Sequence, residues 1–291
     1  MMHSAAAPLL DALRLRADAP LLAYDDRDVS ATAVLAAVED ARLAAQQLPF
    51  ALAPGDVIAL RGPHPALRVA APLAAWSLGL CTQLLGEREP DAAVEKLLRA
   101  SGARCLLGWR EPGHFETLAL DAQESVELPA GTLLATSGSA GRPKLVVHEL
   151  EQLLASARGA MAFLELEPSD RLLLSLPTWH AGGLGIVLRA VLSGAVLCVP
   201  GPDLSLKDAL LRHRPTHVSL VATQLKRLLE DEAAAGALRA CRAVLLGGGP
   251  LPLALRDEAL AAGVPLVITY GATETAAFVA ASCEQDVILR A

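Results

Sequence analysis

The sequence predicts an α/β protein in which layered parallel or mixed sheets are flanked by helices. Three observations predict it. Apolar residues fill 53% of the 291 positions but aromatics only 3%, so the interior must be built from Leu, Val and Ala, the filling of sheets covered by helices. Short apolar runs alternate along the chain with segments of helical periodicity. The connections are short and punctuated by Gly and Pro. The length allows one large domain or two packed ones, and the longest mixed-polarity stretch, 111–129, places the expected seam. An N-terminal subdomain over 1–128 and a second over 129–291 follow.

Taken in order, Ser30 is placed to cap a helix running to about Gln47, with Val34, Leu35, Val38 and Leu43 on one face. A strand at 56–61, a helix at 64–78, a helix at 91–100 and a strand at 104–109 come next. The run 69–86 carries no charged residue, which approaches the length of a membrane span. Pro72, Ser77, Gly79, Thr82 and Gln83 interrupt it, so it reads as a buried helix that turns at Gly79 into a strand. Strands are then expected at 132–136, 144–148, 171–176, 195–199, 216–221, 242–246 and 265–270. Between them lie helices at 149–164, 183–192, 205–213, 223–234 and 252–262, joined by right-handed crossovers between parallel strands. The Ala-rich stretch 230–240 reads as a frayed helix end and a surface loop.

Charge excludes some functions. With 25 basic and 32 acidic residues the net charge is -7, and no basic stripe offsets it, so no nucleic-acid partner is expected. Five cysteines, odd in number and outside any CxxC spacing, suggest neither a disulfide framework nor a zinc site. The first ten residues are apolar but lack the basic start of an export signal. A reducing cytoplasm with no membrane partner is the expectation.

Two stretches carry chemistry. Thr136-Ser-Gly-Ser-Ala-Gly-Arg-Pro-Lys144 gathers hydroxyls, two glycines and a lysine, a composition that lets backbone amides approach an anion. A Walker loop is excluded because Lys144 follows Pro143 and precedes a strand-like Leu-Val-Val; the segment Gly247-Gly-Gly-Pro lacks the dinucleotide spacing. A plain polar hairpin remains the alternative. Thr269-Tyr-Gly-Ala-Thr-Glu274 supplies an aromatic ring, a hydroxyl and a carboxylate able to hold a metal.

Together these segments resemble the adenylate-forming superfamily of acyl-CoA synthetases. Its loop reads Thr-Ser-Gly-(Ser/Thr)-(Ser/Thr/Gly)-Gly-x-Pro-Lys, from which only Ala140 departs, and its second hallmark, Tyr-Gly-x-Thr-Glu, matches Tyr270 to Glu274. Leu176-Pro-Thr-Trp-His180-Ala-Gly-Gly and Leu246-Gly-Gly-Gly-Pro-Leu-Pro252 are similar to two further elements. A narrower resemblance, carried by Thr216-His-Val-Ser-Leu-Val-Ala-Thr-Gln-Leu225 and Val244-Leu-Leu-Gly-Gly-Gly, is to the o-succinylbenzoate-CoA ligases of menaquinone synthesis.

The resemblance implies the N-terminal core of an adenylate-forming ligase using ATP, Mg²⁺ and, as co-substrate, CoA to activate a small carboxylic acid. It implies that Thr136, Ser137, Gly138, Ser139, Gly141 and Lys144 grip the β- and γ-phosphates. Gly247, Gly248 and Gly249 would line adenine, with Tyr270 stacked on it and Gly271 beside it. Thr273 would contact the α-phosphate, Glu274 would ligate Mg²⁺, and His180 would position the acid. Ser219, Thr223, Gln224 and the glycines after His180 are expected to line the acid pocket. A second carboxylate would meet amides near 182–185 or Arg189, with no order between them. Arg227 and His148 are expected to be solvent-facing and structural, respectively. Members of the family continue into a ribose-binding Asp, a hinge and a lid carrying a lysine, so the expectation is a divergent or truncated ligase core without its lid, or a fragment completed by a separate lid-bearing chain, with a homo-oligomer as the other partner expected. The alternatives are a noncatalytic ATP/AMP-binding module and a fragment of an aryl or fatty acyl-CoA ligase.

Overall fold

The computed structural model describes residues 5–24, 27–62, 64–110, 114–120, 127–136 and 144–283. From the N-terminus the elements are α1 (Ala7–Arg14), β1 (Pro20–Tyr24), β2 (Arg27–Ser30), α2 (Ala31–Gln46), β3 (Val57–Arg61), α3 (Pro65–Arg68), α4 (Ala70–Ser77), β4 (Cys81–Leu85), α5 (Asp91–Ser101), β5 (Cys105–Arg110) and β6 (His114–Ala119). Then come β7 (Gly131–Thr136), β8 (Lys144–Glu149), α6 (Leu150–Leu164), β9 (Arg171–Leu173), α7 (Ala181–Ser193), β10 (Val196–Val199), α8 (Leu206–His213), β11 (His217–Leu220), α9 (Ala222–Leu229) and α10 (Glu232–Arg239). The last described elements are β12 (Ala243–Leu246), α11 (Leu253–Ala261), β13 (Leu266–Tyr270), a 3-10 turn at Thr273–Thr275 and β14 (Ala280–Cys283). The contacts form two units. One comprises 1–19, 30–155 and 178–180, the other 20–29, 156–177 and 181–291.

The first unit is built on a sheet ordered β6-β5-β3-β4-β7-β8 among the described residues. Its inner pairs are parallel and its outer pairs, β5 with β6 and β7 with β8, are antiparallel. Strand β4 is buried throughout and β3 at all but its last residue, as expected of strands covered on both faces. The expected helix over 64–78 is instead two, α3 and α4, parted at Val69. Pro72 explains the break: it donates no N–H, and its ring would strike the carbonyl of Arg68 in a continuous helix. Helix α4 then turns at Gly79 into β4 as expected, and Trp76 donates from Nε1 to the Gly131 carbonyl at 2.7 Å. Ser30 caps α2 by accepting from the Ala33 amide at 3.2 Å. Val34 and Val38 are buried, but Leu43 is half exposed, because five residues past Val38 put it roughly 140° round the helix. Ala41, Ala44 and Ala45 fill that side instead.

The contacts divide the chain elsewhere than at the expected 128/129 seam. The stretch placed there contains β6, an edge strand whose exposed Glu116 and buried Phe115 pair antiparallel with β5. Strands β7 and β8 belong to the same sheet through the pairing of β7 with β4. Hydrogen bonding between distant strands, which no local composition reveals, decides this grouping.

The second unit carries a sheet ordered β14-β13-β12-β11-β9-β10-β1-β2 among the described residues. The run from β13 to β1 is parallel, while β14 joins antiparallel. Strand β9 stops at Leu173, short of the expected 176, because Ser175 turns its hydroxyl onto the Ser219 carbonyl at 2.5 Å. The helix expected over 223–234 is also two. Helix α9 ends at Leu229 with Glu230 as its C-cap, and Asp231 starts α10, accepting from the Ala234 amide at 3.0 Å. The supposed frayed loop at 230–240 is therefore a capped helix whose Ala234, Ala235 and Leu238 enter the core. Asp170 ties the unit together. It accepts from the Glu167 amide at 2.9 Å, pairs with Arg242 at 2.8 and 2.9 Å, and lies 3.7 Å from His217 Nδ1. No helix among the described residues is long and apolar enough to cross a membrane.

Candidate nucleotide and acid site

Parallel pairing aligns the ends of three strands in the second unit. Leu220 stands opposite Leu246, and Leu246 opposite Ile268, so the segments after β11, β12 and β13 leave the sheet at one edge. Ligands gather beyond the C-terminal ends of such strands. Gly247 sits where a Cβ would lie 2.4 Å from Thr269 Oγ1, and Gly248 adopts φ +78°. Neither position tolerates a side chain without strain. Tyr270, the last residue of β13, is 72% exposed. A tyrosine ending an inner strand yet open to solvent offers its ring as a platform rather than as core.

The segment from Gly271 to Val279 returns the chain to β14 as a compact loop. Thr275 Oγ1 accepts from the Ala272 amide at 3.0 Å, and the Ala277 amide donates to the Ala272 carbonyl at 3.0 Å. The Ala277 carbonyl folds so closely over Gly271 that a Cβ there would be 1.1 Å from its oxygen, which makes glycine obligatory. Thr273 and Glu274 occupy the 3-10 turn. Glu274 is exposed, and among the described residues no hydrogen bond or ion pair engages its carboxylate. Such a donor fits Mg²⁺, which takes one or two carboxylates and leaves its other positions to water and substrate phosphates.

Thr136, Lys144, His148 and His180 lie in the first unit. Thr136 and Lys144 face each other as the last antiparallel pair of β7 and β8, and Lys144 is exposed. The alternative of a hairpin is thus true of the strands, while Ser137, Gly138, Ser139 and Gly141 lie outside the described residues. His180 follows Trp179, their rings 6.2 Å apart. Burial holds its imidazole below the usual histidine range, partly offset by the Glu89 carboxylate. His180 is therefore neutral at pH 7, consistent with positioning rather than charge pairing. His148 is buried and Arg227 exposed, as expected.

Sequence reasoning left Arg189 unranked, and the structure distinguishes it. Lying on the buried helix α7, its guanidinium has an Nε with no hydrogen-bond partner. Burial lowers its pKa to about 10. It lines a small cavity with Ser219, His217, Ile186 and Leu245. A desolvated cation with an unspent donor is a receptor for an anion. The signal was present in the sequence: a lone charge inside the apolar run 184–192. Gln224, by contrast, is occupied structurally. Its Oε1 accepts from the Val221 amide at 2.9 Å and its Nε2 donates to the Ser175 carbonyl at 3.4 Å. His217 was overlooked. Its Nδ1 meets Thr216 Oγ1 at 2.8 Å, and burial keeps it neutral despite the pull of Asp170.

A family model described as AMP-binding enzyme matches residues 129–289. The 2-succinylbenzoate–CoA ligase of Salmonella typhimurium is 33% identical over 277 residues, covering 92% of this chain and 59% of that protein. The chain spans about three-fifths of the length of such curated relatives. Among solved structures, the o-succinylbenzoate CoA synthetase of Bacillus subtilis with the acyl-adenylate intermediate OSB-AMP matches at a TM-score of 0.78 and 27% identity, over 96% of this chain and 77% of that one. The same enzyme with ATP and magnesium ion matches at 0.77 and 27%, over 96% and 62%.

Proposed function

The chain belongs to the AMP-binding enzyme family, and from that premise we propose that it is the nucleotide-binding core of an o-succinylbenzoate-CoA ligase. The proposed reaction has two steps. The carboxylate oxygen attacks the α-phosphorus of ATP, pyrophosphate leaves, and an acyl-adenylate forms; the thiol of CoA then attacks the acyl carbonyl and AMP leaves. Tyr270 is assigned to the adenine face, Gly247 to Gly249 to its edge, and Thr273 to the α-phosphate. Lys144 and Thr136 are assigned to the outer phosphates. Glu274 would hold Mg²⁺, which would supply charge neutralisation at the phosphates. His180, neutral at pH 7, orients the reacting carboxylate without taking a proton, since the acid is already ionised. Aimed donors of this kind are worth roughly 3 kcal/mol each where charge develops.

The observation that carries the choice of acid is the Arg189 cavity. A monocarboxylic acid spends its one carboxylate at phosphorus and leaves the buried guanidinium unmatched. A dicarboxylic acid such as o-succinylbenzoate brings a second anion, which the unpartnered Arg189 Nε would receive; the cavity it lines is only water-sized, so the acid must displace part of that lining to reach it. A cytoplasmic setting belongs to the same proposal, supported by the four described free cysteines, all buried.

ATP–pyrophosphate exchange by the purified chain tests this reading. Exchange is expected with o-succinylbenzoate and lost in Lys144→Ala and Glu274→Ala, while Arg189→Met loses the diacid at least a hundredfold more than it loses an aryl monoacid. Exchange with monocarboxylic acids alone would favour an aryl or fatty acyl ligase. Nucleotide binding that no acid alters would point to a noncatalytic module.

A further inference from the structure

The loop bearing Thr273 and Glu274 contains two consecutive non-glycine residues in the left-handed region, Ala276 at φ +56° and Ala277 at φ +76°. L-residues adopt such conformations at a cost, so the surroundings must hold them there. Inside the loop, amides are held: Ala276 N–H donates to the Thr273 carbonyl at 3.2 Å and Ala277 N–H to Ala272. The carbonyls that follow are held from outside. Ser156 Oγ, on helix α6, lies 2.9 Å from the Ala276 carbonyl oxygen and 3.3 Å from that of Phe278. Seven residues along the same helix, two turns on, Phe163 packs on Phe278 with centroids 6.0 Å apart. One face of α6 thus grips the loop with a hydroxyl and a ring.

We propose that Ser156 is a positioning residue for the nucleotide site: its hydroxyl clamps the left-handed turn at Ala276 and Ala277 and so keeps Thr273 and Glu274 presented to ligand. The turn begins one residue after the 3-10 turn, so release of the Ala276 carbonyl lets the strained pair relax and carries the carboxylate with it. Ser156 touches no ligand in this account. The inference rests on reading 270–274 as a nucleotide site, and its test separates the two.

Mg·ATP affinity by calorimetry and amide hydrogen exchange over 271–279 are measured for the parent, Ser156→Ala and Ser156→Ala with Ala277→Gly. Ser156→Ala is expected to bind Mg·ATP about five- to tenfold more weakly, the scale of one hydrogen bond, and to exchange faster across the loop. The added Ala277→Gly removes the strain, because glycine accepts a positive φ freely, and should recover most of both losses. A merely structural serine would lower the melting temperature without moving the affinity. Unchanged affinity in Ser156→Ala, or no recovery in the double variant, overturns the clamp. Should the parent bind no Mg·ATP, the functional reading fails; the exchange measurement then still decides the clamp.

Discussion

His180 and Arg189 show how desolvation shifts chemical state, at a residue with part of its surface in solvent and at one that is buried. Arg is a cation at any ordinary pH and His titrates near neutrality; desolvation pushes both toward the neutral form, yet with different results. His180 starts near 6.5 and ends neutral at pH 7, whereas Arg189 at about 10 stays charged. The first can orient a carboxylate through a hydrogen bond; the second can neutralise one. Glu89 offsets part of the shift at His180. In Glu89→Gln the His180 titration, followed by NMR, should therefore move to still lower pH. A pKa that stays put or rises would mean that Glu89 does not reach the ring. Because its folded pKa lies below the unfolded one, His180 stabilises the fold least at low pH: protonation favours the unfolded chain as pH falls below about 6.5.

Helix ends mark where local reading fails and recovers. Ser30 caps α2 where the sequence places it, and Ser205 caps α8 in the same way, since the cap is written in one residue and its third neighbour. At Asp231 the local signal is hidden, because helix-forming residues precede it (Gln224 to Glu230) and Ala-rich sequence follows it. Its carboxylate in fact starts a second helix two residues after the first has ended, turning 232–239 into a packed element. Gly236 then sits inside a helix with its Cβ position clear of all but the Arg239 guanidinium, at 3.5 Å. Gly236→Ala should stabilise the protein by about 1 kcal/mol in urea unfolding. A loop at 230–240 would instead show no gain.

Across the whole molecule, acid sensitivity should concentrate in the second unit. Burial opposes ionisation of Asp170, but the hydrogen bonds from the Glu167 amide, Thr216 and Arg242, with His217 nearby, hold its pKa below the ordinary 3.8. The sign follows: a depressed carboxylate pKa contributes stability above about pH 4 that disappears as pH falls through the folded value. Arg242 is nearly half exposed, so its share is partly screened. Asp170→Asn should cost about 2 kcal/mol at pH 7 and progressively less toward pH 3. Calorimetric scans between pH 7 and 3 check this; a constant difference across that range would show that the carboxylate charge is not the source.

The sequence by itself determined the α/β class, most strands and helices, and which side chains the Tyr270 to Glu274 segment presents, because periodicity, caps and motif spacing act over a few residues. It did not determine that β6 joins the first sheet, that β1 crosses into the second, or that Gln224 is spent on holding Ser175. Nor did it rank Arg189 above the amides at 182–185, or attach Ser156 to a turn 120 residues away. Those outcomes depend on which distant strands pair and which polar atoms are left without partners once the core has closed, and only the tertiary structure decides either.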